Sequence, residues 1–264
     1  MLRQRIITAL ALAAVAVTAI FLLPHSAMMV LLGLLVLAGA WEWSAFPGFT
    51  SRSARLGYVA FVALGVAAVG WVASRGMSVD AVLYAAVVWW VVALVWVVAV
   101  PSSVNRASAA IAGFFVLVPA WLALVRLHAH GPALMFFMIV LVVAADVGAY
   151  FSGRRFGRNK LAPRVSPGKT WEGVYGGVIG AVLVSFVGVV WFSMPAMPFI
   201  LVSLATIVAS IVGDLTESLF KRHAGVKDSG SLLPGHGGVL DRVDSVTAAA
   251  PVFLIGLERL GLFR

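Results

Sequence analysis

The segment from residue 218 to residue 245, SLFKRHAGVKDSGSLLPGHGGVLDRVDS, concentrates charged side chains in a chain that is otherwise strongly apolar. Just before it and at its start, side chains spaced by three or four positions share one predicted helix face: Asp214, Glu217, Ser218 and Lys221. Asp241 and Asp244 are also three residues apart and share a face of the next predicted helix. The short charged loop between the two helices allows these acidic faces to meet.

Carboxylates mixed with basic side chains and a glycine-rich backbone suit the binding of a metal-bound polyphosphate. The chain contains no cysteine and only five histidines, so carboxylate oxygens are the ligands it offers, and these favour a hard cation such as Mg²⁺. Without cysteine, disulfides and cysteine-ligated zinc are excluded. The bases that surround the acidic positions are Lys221, Arg222, Lys227 and Arg242.

A second polar segment, SPGKT at residues 166–170, resembles the end of a P-loop. The first glycine of that motif would stand at position 163, which holds Pro163, and no strand is predicted before it, so a P-loop fold is not expected. Gly168, Lys169 and Thr170 are instead expected just before a helix N-terminus, where backbone N–H groups favour anions.

The elements that must position these residues are predicted to be transmembrane helices. Hydrophobic residues make up 62% of the 264 residues and charged residues 11%, whereas roughly 25% is charged in an ordinary soluble domain. Apolar runs of about 20 residues are typical of transmembrane helices. We predict an all-α polytopic integral membrane protein with nine spans near 6–23, 27–46, 57–74, 79–100, 107–126, 132–152, 172–193, 198–219 and 239–260.

The basic residues predict the orientation of these spans. With a cytoplasmic N-terminus, fifteen Lys and Arg side chains fall on the cytoplasmic side and four on the other, which follows the positive-inside rule. The net charge of +9 therefore reflects topology, and no nucleic-acid partner is expected. His25, His128 and His130 fall on the far side and are expected to be solvated.

The same orientation sorts the acidic residues, which the rule does not require. Asp80 and Glu258 fall on the far side. Asp228 falls in the loop between two of the helices on the cytoplasmic side, and seven others fall at the cytoplasmic ends of their helices: Glu42, Asp146, Glu172, Asp214, Glu217, Asp241 and Asp244. Carboxylates within spans usually face a cavity or a partner. The grouping favours a site on the cytoplasmic side over the alternative that each acid pairs with a neighbouring base at the membrane boundary.

The charged segment resembles the signature of phosphatidate cytidylyltransferases, the CDP-diacylglycerol synthases. The matching residues are Ser218, Lys221, Arg222, Lys227, Asp228, Pro234, His236, Gly237, Gly238, Asp241, Arg242 and Asp244. Upstream, AADVGAYFSGRRFG at 144–157, SPGKTWEG at 166–173 and GDLTES at 213–218 also look like this family. The resemblance covers residues 140–246. We therefore expect N-terminal helices at 1–130 and catalytic helices at 131–264, with cytoplasmic loops at 153–171 and 220–238.

The resemblance implies transfer of CMP from CTP to phosphatidate, with CDP-diacylglycerol and pyrophosphate as products. It assigns Asp214, Asp241 and Asp244 to an Mg²⁺ centre, with a second, monovalent cation such as K⁺ as an open alternative. The catalytic assignments it implies are Asp214, Ser218, Lys221, Arg222, Lys227, Asp228, His236, Asp241, Arg242 and Asp244. The substrate-binding assignments are Ser166, Lys169, Thr170, Glu172, Gly237 and Gly238.

Two other functions stay open at this point. A CTP-dependent lipid-alcohol kinase would share the nucleotide and the metal, and an ion or solute transporter would use buried acids. A transporter is expected to place charges near the bilayer midplane in broken helices, whereas here they gather at one face. The expected location is a bacterial inner membrane with the site facing the cytoplasm, and a homodimer is one open possibility for assembly.

Overall fold

The computed structural model describes residues 2–101, 103–232 and 237–262, with side chains described from residue 10 onward. Over this part of the chain it contains nine α-helices, which confirms the predicted all-α fold class. They are α1 (Leu2–Leu22), α2 (His25–Trp43), α3 (Arg52–Ser74), α4 (Asp80–Ala99), α5 (Arg106–His130), α6 (Pro132–Phe156), α7 (Trp171–Phe192), α8 (Ala196–His223) and α9 (Leu240–Arg259).

Local sequence signals define where several helices begin. Asn105 accepts a bond from the backbone N–H of Ser108 at 2.9 Å, and the Ser108 hydroxyl receives the N–H of Asn105, so α5 starts with a capping box. Thr170 caps α7 by accepting the N–H of Gly173 at 3.2 Å. α6 starts with Pro132, whose missing N–H is unneeded in a first turn.

Seven of the described helices, α2 to α8, are long and apolar enough to cross a membrane. The described apolar part of α1, Leu10–Leu22, is shorter. α9 is more polar, because Asp241, Arg242 and Asp244 stand near its start. Its apolar part is enclosed by other helices, and Phe253, Leu254 and Leu257 are fully buried. A helix surrounded by protein needs fewer apolar residues than one that faces lipid.

Glycines let α6 and α7 approach until their backbones touch. A Cβ at Gly180 would lie 2.8 Å from the carbonyl oxygen of Ala144, and one at Gly176 would lie 2.6 Å from that of Gly148. No other residue fits such distances without a shift of the helices. Small residues at a spacing of four are typical of close packing in membranes, where helices gain from van der Waals contact.

At the end of the bundle opposite the charged loop, the two acids predicted on the far side share one base. Arg126 contacts Asp80 at 2.6 Å and Glu258 at 2.7 Å, which joins α4, α5 and α9. The prediction that His128 is solvated is wrong. His128 is buried. Its ring nitrogens have protein partners in place of water: Nε2 lies 3.1 Å from the carbonyl oxygen of Ile20, and Nδ1 lies 3.5 Å from Nδ1 of His25.

The two predicted loops are shorter than expected. α6 continues to Phe156, and β1 (Lys160–Ala162) and β2 (Ser166–Thr170) then form an antiparallel hairpin. The expectation that no strand precedes SPGKT is therefore wrong, but SPGKT is itself strand β2, so it does not form a P-loop. α8 continues to His223, so the second loop begins at Ala224.

The orientation of the bundle can be tested by labelling single cysteines, because the chain has none of its own. We expect cysteines replacing Arg158 or Ser231 to react with an impermeant maleimide only from the cytoplasmic side. Met77, which is exposed between α3 and α4, should react as cysteine only from the other side. Equal labelling of positions 158 and 77 in right-side-out vesicles would contradict the predicted topology.

Candidate active site

The end of α8 and the start of α9 are joined by one lysine between two carboxylates. Nζ of Lys221 lies 2.8 Å from Oδ1 of Asp241 and 3.2 Å from Oε1 of Glu217. The Glu217 side chain is 3% exposed and that of Asp241 is 9% exposed. The predicted meeting of the two acidic faces is confirmed, and a basic side chain mediates it.

Both carboxylate oxygens of Asp241 also accept backbone N–H groups. Oδ2 receives the N–H of Ser229 at 2.9 Å and that of Gly238 at 2.8 Å, while Oδ1 lies 3.2 Å from the Ser229 nitrogen and receives Lys221. Asp241 therefore closes the loop between α8 and α9 onto the first turn of α9. Its oxygens are already engaged by protein donors.

A carboxylate from the N-terminal half of the chain reaches the same loop. Glu42 on α2 is 2% exposed. Its oxygens accept the N–H groups of Val239 at 3.0 Å and Leu240 at 2.9 Å, and the hydroxyl of Ser229 at 3.2 Å. The sequence places Glu42 at the correct end of its helix but assigns it no role, because its partners lie almost 200 residues away in the chain.

A polar cavity of about 460 Å³ lies between α6, α7, α8 and the hairpin. Lys169 enters it from β2, and its Nζ lies 2.5 Å from Oδ2 of Asp214 on α8. Ser218 donates to Oδ1 of Asp214 at 3.4 Å. The structure thus brings together Lys169, Thr170 and Asp214, which the sequence assigned to separate segments of one site.

Five other polar side chains line this cavity without having been assigned to it: Asp146, Tyr150, Arg154, Ser210 and Ser245. The first three are spaced by four residues along α6, so a shared face of one helix was a signal available in the sequence. Arg154 donates to the hydroxyl of Tyr150 at 2.9 Å. This face places an acid, a phenol and a guanidinium along the wall that α6 contributes to the cavity.

Asp244 lies between the polar cavity and the cluster formed by Lys221, Glu217 and Asp241. A Cβ at Gly213 would lie 2.6 Å from the carbonyl oxygen of Asp244, so α8 and α9 touch one residue before Asp214. Asp244 is close enough to interact electrostatically with Asp214, Lys169 and Lys221. Asp146 interacts in the same way with Asp214 and Lys169.

Three further predicted substrate-binding residues have structural partners. Thr170 is buried and uses its hydroxyl as the cap of α7. Ser166 pairs with Ala162 in the hairpin. Glu172 accepts the N–H groups of Arg158 at 3.1 Å and Asn159 at 3.2 Å, which holds the turn that leads into β1. Their contribution to substrate binding stays a prediction.

The remaining predicted residues lie around the loop after α8. Arg222, Lys227, Asp228 and Arg242 are exposed, and Arg222 lies with Nε 3.5 Å from the carbonyl oxygen of Val165 in the hairpin. Gly237 has a φ of 81°, in the left-handed region that favours glycine. His236 lies outside the described residues, so its predicted role stays a prediction.

A second, apolar cavity of about 530 Å³ adjoins the polar one. It is bounded by α4, α7, α8 and the hairpin, and Arg164 is the charged residue among its lining. The two cavities share three wall residues, Leu161, Val174 and Ile211. An amphipathic molecule could place its polar end in one cavity and its apolar part in the other.

The carboxylates fit a metal ion only in part. Within residues 2–101, 103–232 and 237–262, no three His, Asp or Glu side chains are grouped so that they could hold a metal by themselves. Asp241 fits less well as a ligand, because Lys221 and two backbone N–H groups bind its oxygens, whereas Asp214 contacts Lys169 and Ser218. Asp214 and Asp244 fit better, since Mg²⁺ is commonly held by one or two carboxylates together with substrate phosphates.

Replacing Lys221 by methionine should lower both stability and turnover. The change leaves the buried carboxylates of Glu217 and Asp241 without their cation, and breaking a buried pair costs about 3–5 kcal/mol. The measurement is the thermal unfolding midpoint in detergent, together with the initial rate. Lys169→Ala is the matched control: its ion pair with Asp214 is more exposed, so it should lower turnover with little change in the midpoint. An unchanged midpoint in Lys221→Met would contradict this role.

Sequence comparison with known proteins identifies a family and several relatives of this chain. Residues 3–260 match the model of the cytidylyltransferase family. The chain is 47% identical to the phosphatidate cytidylyltransferase of Pseudomonas aeruginosa and 41% identical to that of Haemophilus influenzae. Each alignment covers 96% of this chain, with 96% of the first relative and 97% of the second. A phosphatidate cytidylyltransferase of Brucella suis is 51% identical over 126 residues, which is 46% of this chain and 45% of that relative.

These matches give no support to the transporter alternative, and they confirm the predicted enzyme class, a CTP-dependent nucleotidyltransferase. The family model and the Pseudomonas aeruginosa and Haemophilus influenzae relatives span both the N-terminal helices and the charged loop. The chain belongs to the cytidylyltransferase family.

Proposed function

We propose that this protein transfers CMP from CTP to phosphatidate and releases pyrophosphate, forming CDP-diacylglycerol for phospholipid synthesis. The observation that carries the proposal is the pair of adjoining cavities. The polar cavity offers Lys169 and Arg154 to phosphates and Asp214 to a cation, and the apolar cavity offers a lining suited to an acyl chain. The relatives that are similar over the whole chain bear the name of this activity.

The reaction joins two anions and needs no strong base. An oxygen of the lipid phosphate attacks the α-phosphorus of CTP, and the bond from that phosphorus to the oxygen bridging to the β-phosphorus breaks. Pyrophosphate leaves with the electron pair. Because the attacking oxygen is already ionised, the main tasks of the site are to neutralise charge and to align the two phosphates.

The side chains of the polar cavity suit those tasks. Lys169 and Arg154 bring positive charge to the phosphates, and Arg164 in the lining of the apolar cavity offers a further positive charge to a lipid head group. Asp214 and Asp244 would hold Mg²⁺, which when bound supplies further charge neutralisation between the phosphates. Lys221 and Asp241 keep the first turn of α9, and with it Asp244, in place. A second, monovalent cation and a homodimer remain predictions.

The proposed orientation places this site at the cytoplasmic face of a bacterial inner membrane. CTP would enter the polar cavity from water, while phosphatidate would enter from the bilayer through the apolar cavity. The excess of basic residues at the same end also favours anionic substrates. The labelling of positions 158, 231 and 77 tests this orientation independently of activity.

A direct assay tests the function. Purified protein with radiolabelled CTP, Mg²⁺ and dioleoyl phosphatidate should form CDP-diacylglycerol and pyrophosphate in equal amounts. Diacylglycerol in place of phosphatidate separates the alternatives, because a lipid-alcohol kinase would convert it to phosphatidate and CDP. Product from diacylglycerol, without product from phosphatidate, would refute the proposal in favour of the kinase.

Filling the apolar cavity should select against long acyl chains. Val208→Trp places a large ring among the lining residues on α8. We expect the KM for dioleoyl phosphatidate to rise about tenfold, since losing part of the burial of a chain costs about 0.8 kcal/mol per CH₂. The KM for CTP and for a short-chain phosphatidate should change little. Leu201→Trp, on the same helix but outside both cavities, is the control. Equal changes for both lipids would contradict the assignment.

A further inference from the structure

The first turn of α9 lacks a cap from its own sequence. Val239 stands at the N-cap position and makes no side-chain cap bond. Backbone N–H groups in the first turn of a helix have no partner within the helix and must find acceptors elsewhere. Here Glu42 accepts the N–H groups of Val239 and Leu240, so a carboxylate from α2 caps a helix almost 200 residues later in the chain.

The same carboxylate also holds the loop that leads into α9. The Ser229 hydroxyl donates to Oε2 of Glu42 at 3.2 Å, and the Ser229 backbone N–H donates to Asp241. Ser229 therefore forms hydrogen bonds to two helices, to α2 through Glu42 and to α9 through Asp241. Asp241 in turn contacts Lys221. A change in the position of Glu42 is therefore expected to change the positions of Asp241 and Lys221 at the end of α8.

Two glycines show how closely the loop packs on this carboxylate. A Cβ at Gly230 would lie 2.6 Å from Oε1 of Glu42, and a Cβ at Gly238 would lie 2.6 Å from Oε2. A side chain at either position would displace Glu42 or the loop. Gly238 belongs to the His-Gly-Gly turn of the signature, so one reason for glycine there is the approach of Glu42.

We propose that Glu42 is a positioning residue for cytidylyl transfer, which fixes residues 229–230 and 237–240 and thereby orients Asp241, Lys221 and Asp244 at the end of the polar cavity. The N-terminal helices then contribute to the site through this residue. The role in the reaction rests on the proposed function, whereas the fixing of the loop does not.

A carboxylate suits this role better than an amide. Oε1 receives Val239 and Oε2 receives Leu240 and Ser229, so both oxygens act as acceptors. A glutamine would turn its NH₂ group toward one of these N–H donors and leave that donor unpaired. Its shape is otherwise the same, so Glu42→Gln removes an acceptor and the charge facing the helix N-terminus without creating a cavity.

The experiment combines kinetics with a readout of loop position. We expect Glu42→Gln to lower kcat about tenfold or more, from the loss of charged hydrogen bonds, with little change in the KM for CTP. In a Ser231→Cys background, labelling of the exposed cysteine by maleimide should become several-fold faster, while labelling of an Arg158→Cys background stays unchanged. Thr206→Val is the control, because Thr206 is buried in α8 and bonds only to the carbonyl of Val202 among the described residues.

Each outcome is decisive. Wild-type kcat and labelling in Glu42→Gln would overturn the proposal, and so would a lower kcat with unchanged labelling at position 231. Equal effects in Thr206→Val would show general loosening of the bundle and would also overturn it. Should Glu42→Gln fail to fold, Gly230→Ala keeps Glu42 and pushes the loop off it, and faster labelling with a lower kcat is again expected. Absence of CDP-diacylglycerol formation by the wild-type protein would refute the proposed function, and the labelling would still decide the fixing of the loop.

Discussion

Replacing Asp214 by asparagine should lower CDP-diacylglycerol formation by about a thousandfold, because metal-assisted charge stabilisation contributes several kcal/mol to the transition state. The amide keeps the shape of the side chain but removes the charge that faces Lys169 and the proposed cation. Folding should be preserved, since this ion pair is partly exposed and such pairs add little stability.

The dependence on Mg²⁺ distinguishes a ligand from a general acidic residue. In Asp214→Asn, any remaining activity should require a higher Mg²⁺ concentration for half-saturation than in the wild type. Asp80→Asn is the matched control: it removes a carboxylate paired with Arg126 at the opposite end of the bundle and should leave the Mg²⁺ requirement unchanged. Substantial activity in Asp214→Asn with an unchanged Mg²⁺ requirement would show that the cation is held elsewhere.

Asp241→Asn is expected to lower kcat at least about a hundredfold by a different route, since one partner of a buried ion pair is lost. Asparagine has a single acceptor oxygen, and its NH₂ group can only donate. It therefore cannot accept hydrogen bonds on both terminal atoms, as the carboxylate does from Lys221 and two backbone N–H groups. The first turn of α9 then loses its register against α8, and Asp244 moves with it. We expect a lower unfolding midpoint and faster labelling of a cysteine at position 231.

The Mg²⁺ requirement again provides the test. Because Asp241 contacts protein donors and not the proposed cation, the Mg²⁺ concentration for half-saturation of the residual activity should stay near that of the wild type. A shift as large as that in Asp214→Asn, with unchanged labelling at position 231, would restore Asp241 to the set of metal ligands.

Local patterns predicted the helices and the meeting of the acidic faces. Apolar runs are continuous in the sequence, so all nine described helices were placed within a few residues, including α1 and α9, which fall outside the seven long apolar spans. The spacings within Asp214, Glu217 and Lys221, and between Asp241 and Asp244, define helix faces without knowledge of the tertiary structure. Helix geometry therefore accounts for the part of the site that lies on α8 and α9.

The remaining features depend on contacts between distant segments. The hairpin has strands of three and five residues, too short for an alternating pattern to stand out beside Pro163 and Pro167. Glu42 binds the start of α9, and Asp241 closes the loop, through hydrogen bonds from backbone N–H groups. Nearly every residue has such a group, so a sequence motif does not identify these contacts. Only the cavity face of α6, at Asp146, could have been found from spacing.

The hairpin gives the two substrates a common wall. Residues 163–165 line the apolar cavity, residues 168–170 line the polar cavity, and Leu161 borders both. Any displacement of the hairpin by a nucleotide thus alters the space met by a lipid. Linkage then requires reciprocity: whatever factor CTP imposes on the affinity for phosphatidate, phosphatidate imposes on the affinity for CTP. The two proposed binding events are therefore expected to be coupled through one hairpin, the segment between Lys160 and Thr170.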